Sequence, residues 1–120
     1  MLFRSRVLDL AYKDIRDLSG LEYLVGLKKL GLYGLKVTDK ELKIINTMLR
    51  LEELDLANCK ITYVSENTFD RLKNLRELVL DENLGIQIEE NAFRHNTSLE
   101  DFLIEDCGIY DLNFLKEVPH

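Results

Sequence analysis

Apolar residues fall along this chain in a phrase that returns about every 24 residues. LEELDLANCKI begins at Leu51, LRELVLDENLGI at Leu75 and LEDFLIEDCGI at Leu99. LKKLGLYGLKV begins at Leu27 and a worn copy, SRVLDLAYKDI, at Ser5, so the starts are spaced by 22, 24, 24 and 24 residues. The fourth position holds Leu8, Leu30, Leu54, Leu78 and Phe102, and the sixth holds Leu10, Leu32, Leu56, Leu80 and Ile104. Two apolar residues separated by one other share one side of a short strand, so the residue between them faces away. Further aliphatics stand at position one (Leu27, Leu51, Leu75, Leu99) and position eleven (Ile15, Val37, Ile61, Ile109). Ile86 fills that role in the fourth copy, after a one-residue insertion at Leu84–Gly85. A fixed period of this size predicts a solenoid, in which one unit repeats and buries its apolar side only by stacking on its neighbours.

The return half of each unit varies. TDKELKIINTML (38–49) has Leu42, Ile45 and Leu49 at helical spacing, with Thr38 or Asp39 placed to cap it, and predicts an amphipathic helix. SENTFDRL and EENAFRHN put Phe69 and Phe93 at one repeat position and predict one-turn or 3₁₀ helices. RDLSGLEYLVG, with Leu18, Leu21 and Leu24, is the shortest return. The expected fold is α/β: a right-handed solenoid over residues 1–120, with a concave parallel sheet of about five strands and a convex side of short helices and 3₁₀ turns.

The phrase LxxLxLxxN/C-x-I/L at 51–61, 75–86 and 99–109 resembles the leucine-rich repeat family, and the likeness covers nearly the whole chain. The Phe-containing copies resemble the 24-residue type of extracellular and receptor proteins, whereas DLSGLEYLVGLKKL is similar to the short type of internalins and phosphatase regulators. LEELDLANCKIT looks like the cysteine-containing intracellular type, so the subtype is mixed. The resemblance implies that the ninth position carries Asn or Cys bonded to turn backbone. Asn83, Cys59 and Cys107 comply, whereas Lys13 and Leu35 break the ladder. The family's cysteine-rich caps are missing; apolar residues at Met1–Phe3 and at Leu112, Phe114, Leu115 and Val118 stand where capping is needed. Minimal caps and a piece of a longer protein both fit this pattern.

Cys59 and Cys107 occupy equivalent places two strands apart, roughly 9–10 Å by the usual strand spacing, too far for a disulfide. They are expected to be buried thiols. No HExxH, GxSxG, glycine-rich phosphate loop or CxxC occurs, and His95 and His120 are the only histidines. A Cys–His pair with His95 would need a core thiol to open, so no catalytic residue is assigned. Asn96-Thr97-Ser98 is a glycosylation sequon expected on the convex side.

Charge changes the picture most. The net charge of −6 argues against nucleic acid, whose phosphates call for clustered Lys and Arg. No stretch approaches the ~20 apolar residues of a membrane span. The start MLFRSRVLDLAYK lacks the apolar run of a signal peptide, which leans towards the cytoplasm, while the Phe-type copies and the sequon lean towards an extracellular fragment. At the outward positions two, three, five, seven and eight stand 11 acids against four Lys or Arg, a net of −7, leaving 12 Lys or Arg against 11 acids, or +1, elsewhere. Glu53–Glu77–Asp101, Asp81–Glu105 and Glu82–Asp106 place like charges on adjacent strands, which destabilises by roughly 0.2–1 kcal/mol per pair. Such rule-breaking points to a functional surface. Val79 and Leu103 form an apolar spot among the acids; Tyr33 at position seven and Tyr12 at position eight lie towards the N-terminal end, and Gly31 and Gly34 flank Tyr33 and leave room for a ligand.

The expectation is a non-enzymatic module, without cofactor or metal, that binds a basic protein or peptide on its concave face. Tyr33, Glu53, Asp55, Asn58, Glu77, Val79, Asp81, Glu82, Asp101, Leu103 and Glu105 make up that face. The main rival is a structural or oligomerising fragment, such as part of a receptor ectodomain, that associates through its open end strands. A calcium-binding carboxylate face is a third reading, weakened by the want of a loop supplying six to eight ligands.

Overall fold

The computed structural model describes residues 6–109 and 111–117. Strands β1 (Val7–Asp9), β2 (Lys29–Gly31), β3 (Glu53–Asp55), β5 (Glu77–Val79) and β7 (Asp101–Leu103) form one parallel sheet in that order. Its register puts Leu8, Leu30, Leu54, Leu78 and Phe102 side by side, the column that the fourth position predicts. Past β1, β2, β3 and β5 the sixth residue donates to the next repeat, Leu32 N–H to the Asp55 carbonyl at 2.9 Å and Leu80 N–H to that of Leu103 at 2.7 Å. Each turn then passes through a left-handed residue at position eight: Tyr12, Gly34, Asn58, Glu82 and Asp106, with φ of 58°, 82°, 52°, 63° and 58°. Non-glycine residues hold that conformation at a cost of roughly 1–2 kcal/mol each. The bond from their N–H to the position-seven carbonyl of the next repeat helps to fix it, as in Asn58 to Asp81 at 2.8 Å.

The core is a ladder of equivalent aliphatics. Leu30, Leu54, Leu78 and Leu32, Leu56, Leu80 are buried, whereas Leu8, Leu10, Phe102 and Ile104, at the ends of the stack, are only half-buried. Each fully buried side chain contributes roughly 1.5–3 kcal/mol. On the return side Leu21, Ile45, Phe69 and Phe93 occupy one equivalent place and are all buried. Phe93, Phe102 and Phe114 close the far end, with ring centroids 4.9, 6.2 and 5.9 Å apart. Of the expected cap residues, Phe114 is therefore the plug, while Leu112 and Leu115 are exposed, and Met1–Phe3 and Val118 lie outside the described residues.

Three return segments differ from expectation. Helix α1 covers Asp39–Ile45 rather than reaching residue 49, and is opened by a box in which Glu41 accepts from both the Thr38 N–H and its hydroxyl. The chain then turns, with the Thr47 hydroxyl donating to the Ile44 carbonyl at 2.6 Å, so Met48 is buried and Leu49 is exposed. SENTFDRL and EENAFRHN form turns rather than helices. The Thr68 hydroxyl accepts from Ser65 N–H at 2.9 Å and the Ser65 hydroxyl from Asn67 N–H at 3.1 Å, cap-like bonds that open the turn, but the backbone goes on only in single i→i+3 bonds such as Leu72 N–H to the Phe69 carbonyl at 3.0 Å. Before these turns, β4 (Tyr63–Val64) and β6 (Gln87–Ile88) pair as a second, two-stranded parallel sheet that the periodicity did not disclose.

Cys59 and Cys107 are buried and free, as their spacing implies. Asn83 shows what the ninth position does. Its Oδ1 accepts from Cys59 N–H at 3.0 Å and Ile61 N–H at 2.9 Å, and its Nδ2 donates to the Leu56 and Leu80 carbonyls at 2.9 Å each. The cysteines keep only the donating half: Cys59 Sγ reaches the Leu32 carbonyl at 3.1 Å, and Cys107 Sγ that of Leu80 at 3.1 Å. Burial, with Asp55 nearby, pushes the Cys59 thiol up to about 12, and burial also raises Cys107. Neither thiol is poised for catalysis.

Candidate functional site

On the solvent face of the sheet, position three forms the row Val7, Lys29, Glu53, Glu77, Asp101 and position five the row Asp9, Gly31, Asp55, Val79, Leu103. Glu53 and Asp55 project from β3, Glu77 and Val79 from β5, Asp101 and Leu103 from β7, each pair flanking one buried Leu or Phe. Positions seven and eight follow in the turns, so Tyr33, Asn58, Asp81, Glu82 and Glu105 border the same face.

The acids are not equivalent. At position two, Lys28–Glu52 (3.5 Å), Arg76–Glu52 (3.6 Å) and Arg76–Glu100 (3.7 Å) alternate in sign and largely neutralise one another. That row carries three cations and two acids, or +1, so the remaining rows carry Lys29 against nine acids, or −8. Lys29 Nζ sits 2.7 Å from Glu53 Oε2, and this bond holds the Glu53 carboxyl below its usual range and raises Lys29. Glu77 is the contrary case: a hydrogen bond shared with Glu53, followed by partial burial and the charges of Glu53, Asp101 and Asp55, raises its carboxyl. Among the described residues no cation pairs with Glu77.

Several expected contact residues already serve the fold. Asp55 accepts from Ala57 N–H at 2.9 Å and Asp81 from Glu105 N–H at 2.6 Å on the adjoining repeat; Asp9, outside the expected contact set, does the same for Ala11 N–H at 3.0 Å. The Tyr33 hydroxyl donates to Glu82 two repeats away, so Glu82 and then Tyr12 raise the Tyr33 pKa well above normal. Tyr12 packs its ring 4.9 Å from that of Tyr33. It also fills the space beside Gly34, where an added Cβ would lie 3.2 Å from the Tyr12 ring; the expected opening there is closed. Gly31 does leave a notch, a depression of about 210 Å³ lined by Asp9, Lys29, Glu53, Asp55 and Glu77. Glu77, Asp101 and the half-exposed Val79–Leu103 pair are thus brought together, while Tyr33, Asn58 and Glu82 lie along the turn border. Sequence reasoning passed over Lys29 as a pairing partner, although its place in register with Glu53, 24 residues on, carries that signal.

The sequon is not a surface feature of the folded chain. Asn96 is fully buried, and its Nδ2, the atom a glycan would occupy, donates to the Phe69 carbonyl at 2.8 Å and the Leu72 carbonyl at 3.2 Å. In the folded chain it is closed to a glycosylating enzyme. Among the described residues no group of three or more His, Cys, Asp or Glu converges closely enough to hold a metal ion, and no helix is long and apolar enough to cross a membrane.

A family model described as leucine rich repeat matches residues 50–109, half of the chain. No curated protein matches it. Domains of this family commonly mediate protein–protein interaction and are typically non-enzymatic. The matched span contains β3, β5 and β7 and ends at the last repeat phrase, where the register and the ninth-position bonds are most regular. With the five-stranded parallel sheet and its repeating turns in view, the chain belongs to the leucine-rich repeat family.

Proposed function

We propose that this domain is a non-enzymatic binding module that takes a basic protein or peptide on its acidic sheet face. The observation that carries the reading is Glu77: a carboxylate crowded by Glu53, Asp101 and Asp55, without a cation, beside the apolar Val79 and Leu103. A partner's Lys or Arg set there relieves the repulsion, and its apolar neighbour covers Val79–Leu103. Glu53, Glu105 and Asp101 steer approach, and Tyr33 with Glu82 and Asn58 bounds the site. Asp55 and Asp81 contribute charge while holding backbone. The test is a Glu77→Lys, Asp101→Lys variant against a basic test peptide, such as an oligolysine with interspersed leucines, at low and moderate salt. Binding should fall by roughly tenfold or more in the variant and weaken with salt in the native chain. Binding that ignores both would refute the reading.

The rival reading, self-association through the ends, draws on β1 and β7, each with one neighbour in the sheet. Sedimentation across a range of concentrations decides it, since a constant monomer mass removes it.

A further inference from the structure

The return side carries a groove with the opposite sign to the sheet. Two depressions, of about 340 and 210 Å³, lie between α1 and the following repeat and share Asp39, Leu42 and Tyr63 in their walls. Lys43 and Arg71 line the larger, and Lys36 and Lys60 the smaller. Among the described residues Asp39 is the only acid in either wall, so the lining charge is 4 − 1 = +3, on a chain whose net is −6.

None of these four cations takes part in an ion pair among the described residues, whereas Lys28, Lys29 and Arg76 on the sheet face all do. Nearby acids are already engaged. Glu41 is held by Thr38, Asp70 accepts from Asn46 Nδ2 at 2.9 Å, and Glu89 accepts from the Tyr63 hydroxyl at 2.5 Å. Between the cations the floor is apolar: Leu42 is buried beneath it, and the half-exposed Tyr63 ring forms one wall. Unpaired cations set around an apolar floor are complementary to an acidic ligand that also offers an apolar side chain.

We propose that this groove is a second docking site, for an acidic peptide segment carrying an aliphatic or aromatic residue among its carboxylates. The apolar residue sits between Leu42 and Tyr63, and flanking carboxylates meet Lys43 and Arg71 on one side and Lys36 and Lys60 on the other. The site is independent of the sheet face: its residues come from α1, the turn before it and the return of the next repeat.

The probe is a fluorescein-labelled peptide, acetyl-Glu-Asp-Leu-Glu-Phe-Asp-Glu-amide, followed by anisotropy in about 50 mM salt, where screening is moderate. The groove variant is Lys43→Glu, Arg71→Glu; the control is Arg50→Glu, Lys73→Glu, which changes net charge equally at residues outside the groove walls. All four side chains are exposed, and circular dichroism confirms that each variant folds. The groove variant should weaken binding by roughly tenfold or more and the control by about twofold or less. Replacing Leu and Phe of the peptide with Ser should weaken binding by a further several-fold. Equal losses in the two variants, indifference to the Ser peptide, or no binding by the native chain would each overturn the proposal. So would low-salt self-association that the groove variant abolishes without any peptide binding, which would assign the groove to the acidic face of a second copy.

Discussion

Replacing Asn83 tests whether the ninth-position side chain holds adjacent turns together. Asn83 is fully buried and makes four bonds of 2.9–3.0 Å to backbone of the third and fourth repeats. Asn83→Ala strands two N–H groups and two carbonyls in the core. At about 1 kcal/mol for each bond lost, and more where water cannot reach the orphan, the loss is about 4 kcal/mol. That is a large share of the ~5–15 kcal/mol that stabilises a domain. Asn83→Cys is the informative companion. Cys59 shows a thiol donating to the Leu32 carbonyl at 3.1 Å, so a thiol at 83 restores bonding to Leu56 or Leu80. It is a poor acceptor for the Cys59 and Ile61 N–H groups, so about half the loss, roughly 2 kcal/mol, should remain. Urea unfolding followed by circular dichroism, with comparable slopes for the three proteins, reads both values. The reasoning fails if Asn83→Ala costs less than about 1 kcal/mol, or if the Cys variant is no better than the Ala variant.

Other outcomes follow from the same geometry. Glu77 has its carboxyl raised in the fold, so its repulsion is fully present above the folded pKa and is relieved as pH falls through it; Tm should rise slightly as the solution is acidified from neutrality, and Glu77→Gln should remove that rise. At lower pH the depressed Glu53 loses its stabilising pairing with Lys29 as pH falls through its folded value, so Tm should turn down again, with carbon-detected titration separating the two carboxyls. Asn96→Ala should cost about 1 kcal/mol in the same urea assay, since two carbonyls lose their donor while the buried Asn96 Oδ1, which has no partner among the described residues, is removed. Folded native chain offered to an oligosaccharyltransferase should stay unmodified at this site. Phe114→Ala should cost about 3–5 kcal/mol and increase dye binding to exposed apolar surface, because Phe93 and Phe102 lose the ring that covers them.

What the sequence made legible is whatever repeats. The column from Leu8 to Phe102, its register, the place of Asn83 and the separation of the two thiols all follow from a period near 24 and the alternation within each phrase. The local course of the return segments stayed hidden. Residues 65–72 run in single i→i+3 turns that hydropathy does not separate from a helix, and Thr47 helps end α1 early, exchanging Leu49 for Met48 in the core. On the sheet face, the acidic surplus was visible, but its division was not. Position two cancels along its row, Asp55 and Asp81 bond to backbone, and Lys29 takes Glu53, which leaves Glu77 as the carboxylate under most strain. Asn96 misled because a sequon is read from three adjacent letters, whereas its burial is fixed by residues more than 20 positions earlier.

The in-register sheet, with every strand bonded only to its immediate neighbours, also sets how the molecule answers a pull on its two ends. Load applied at β1 or β7 meets no backbone bond within the sheet that spans past the adjoining strand, and of the described side-chain hydrogen bonds only Tyr33–Glu82 reaches two repeats. Rupture therefore proceeds as peeling, one turn of the coil at a time, in place of a single cooperative break. A released unit of 24 residues adds about 80 Å of contour at ~3.4 Å per residue. The chain is built as a ratchet of near-equal lengths, and the firmest tooth is the one that Asn83 locks.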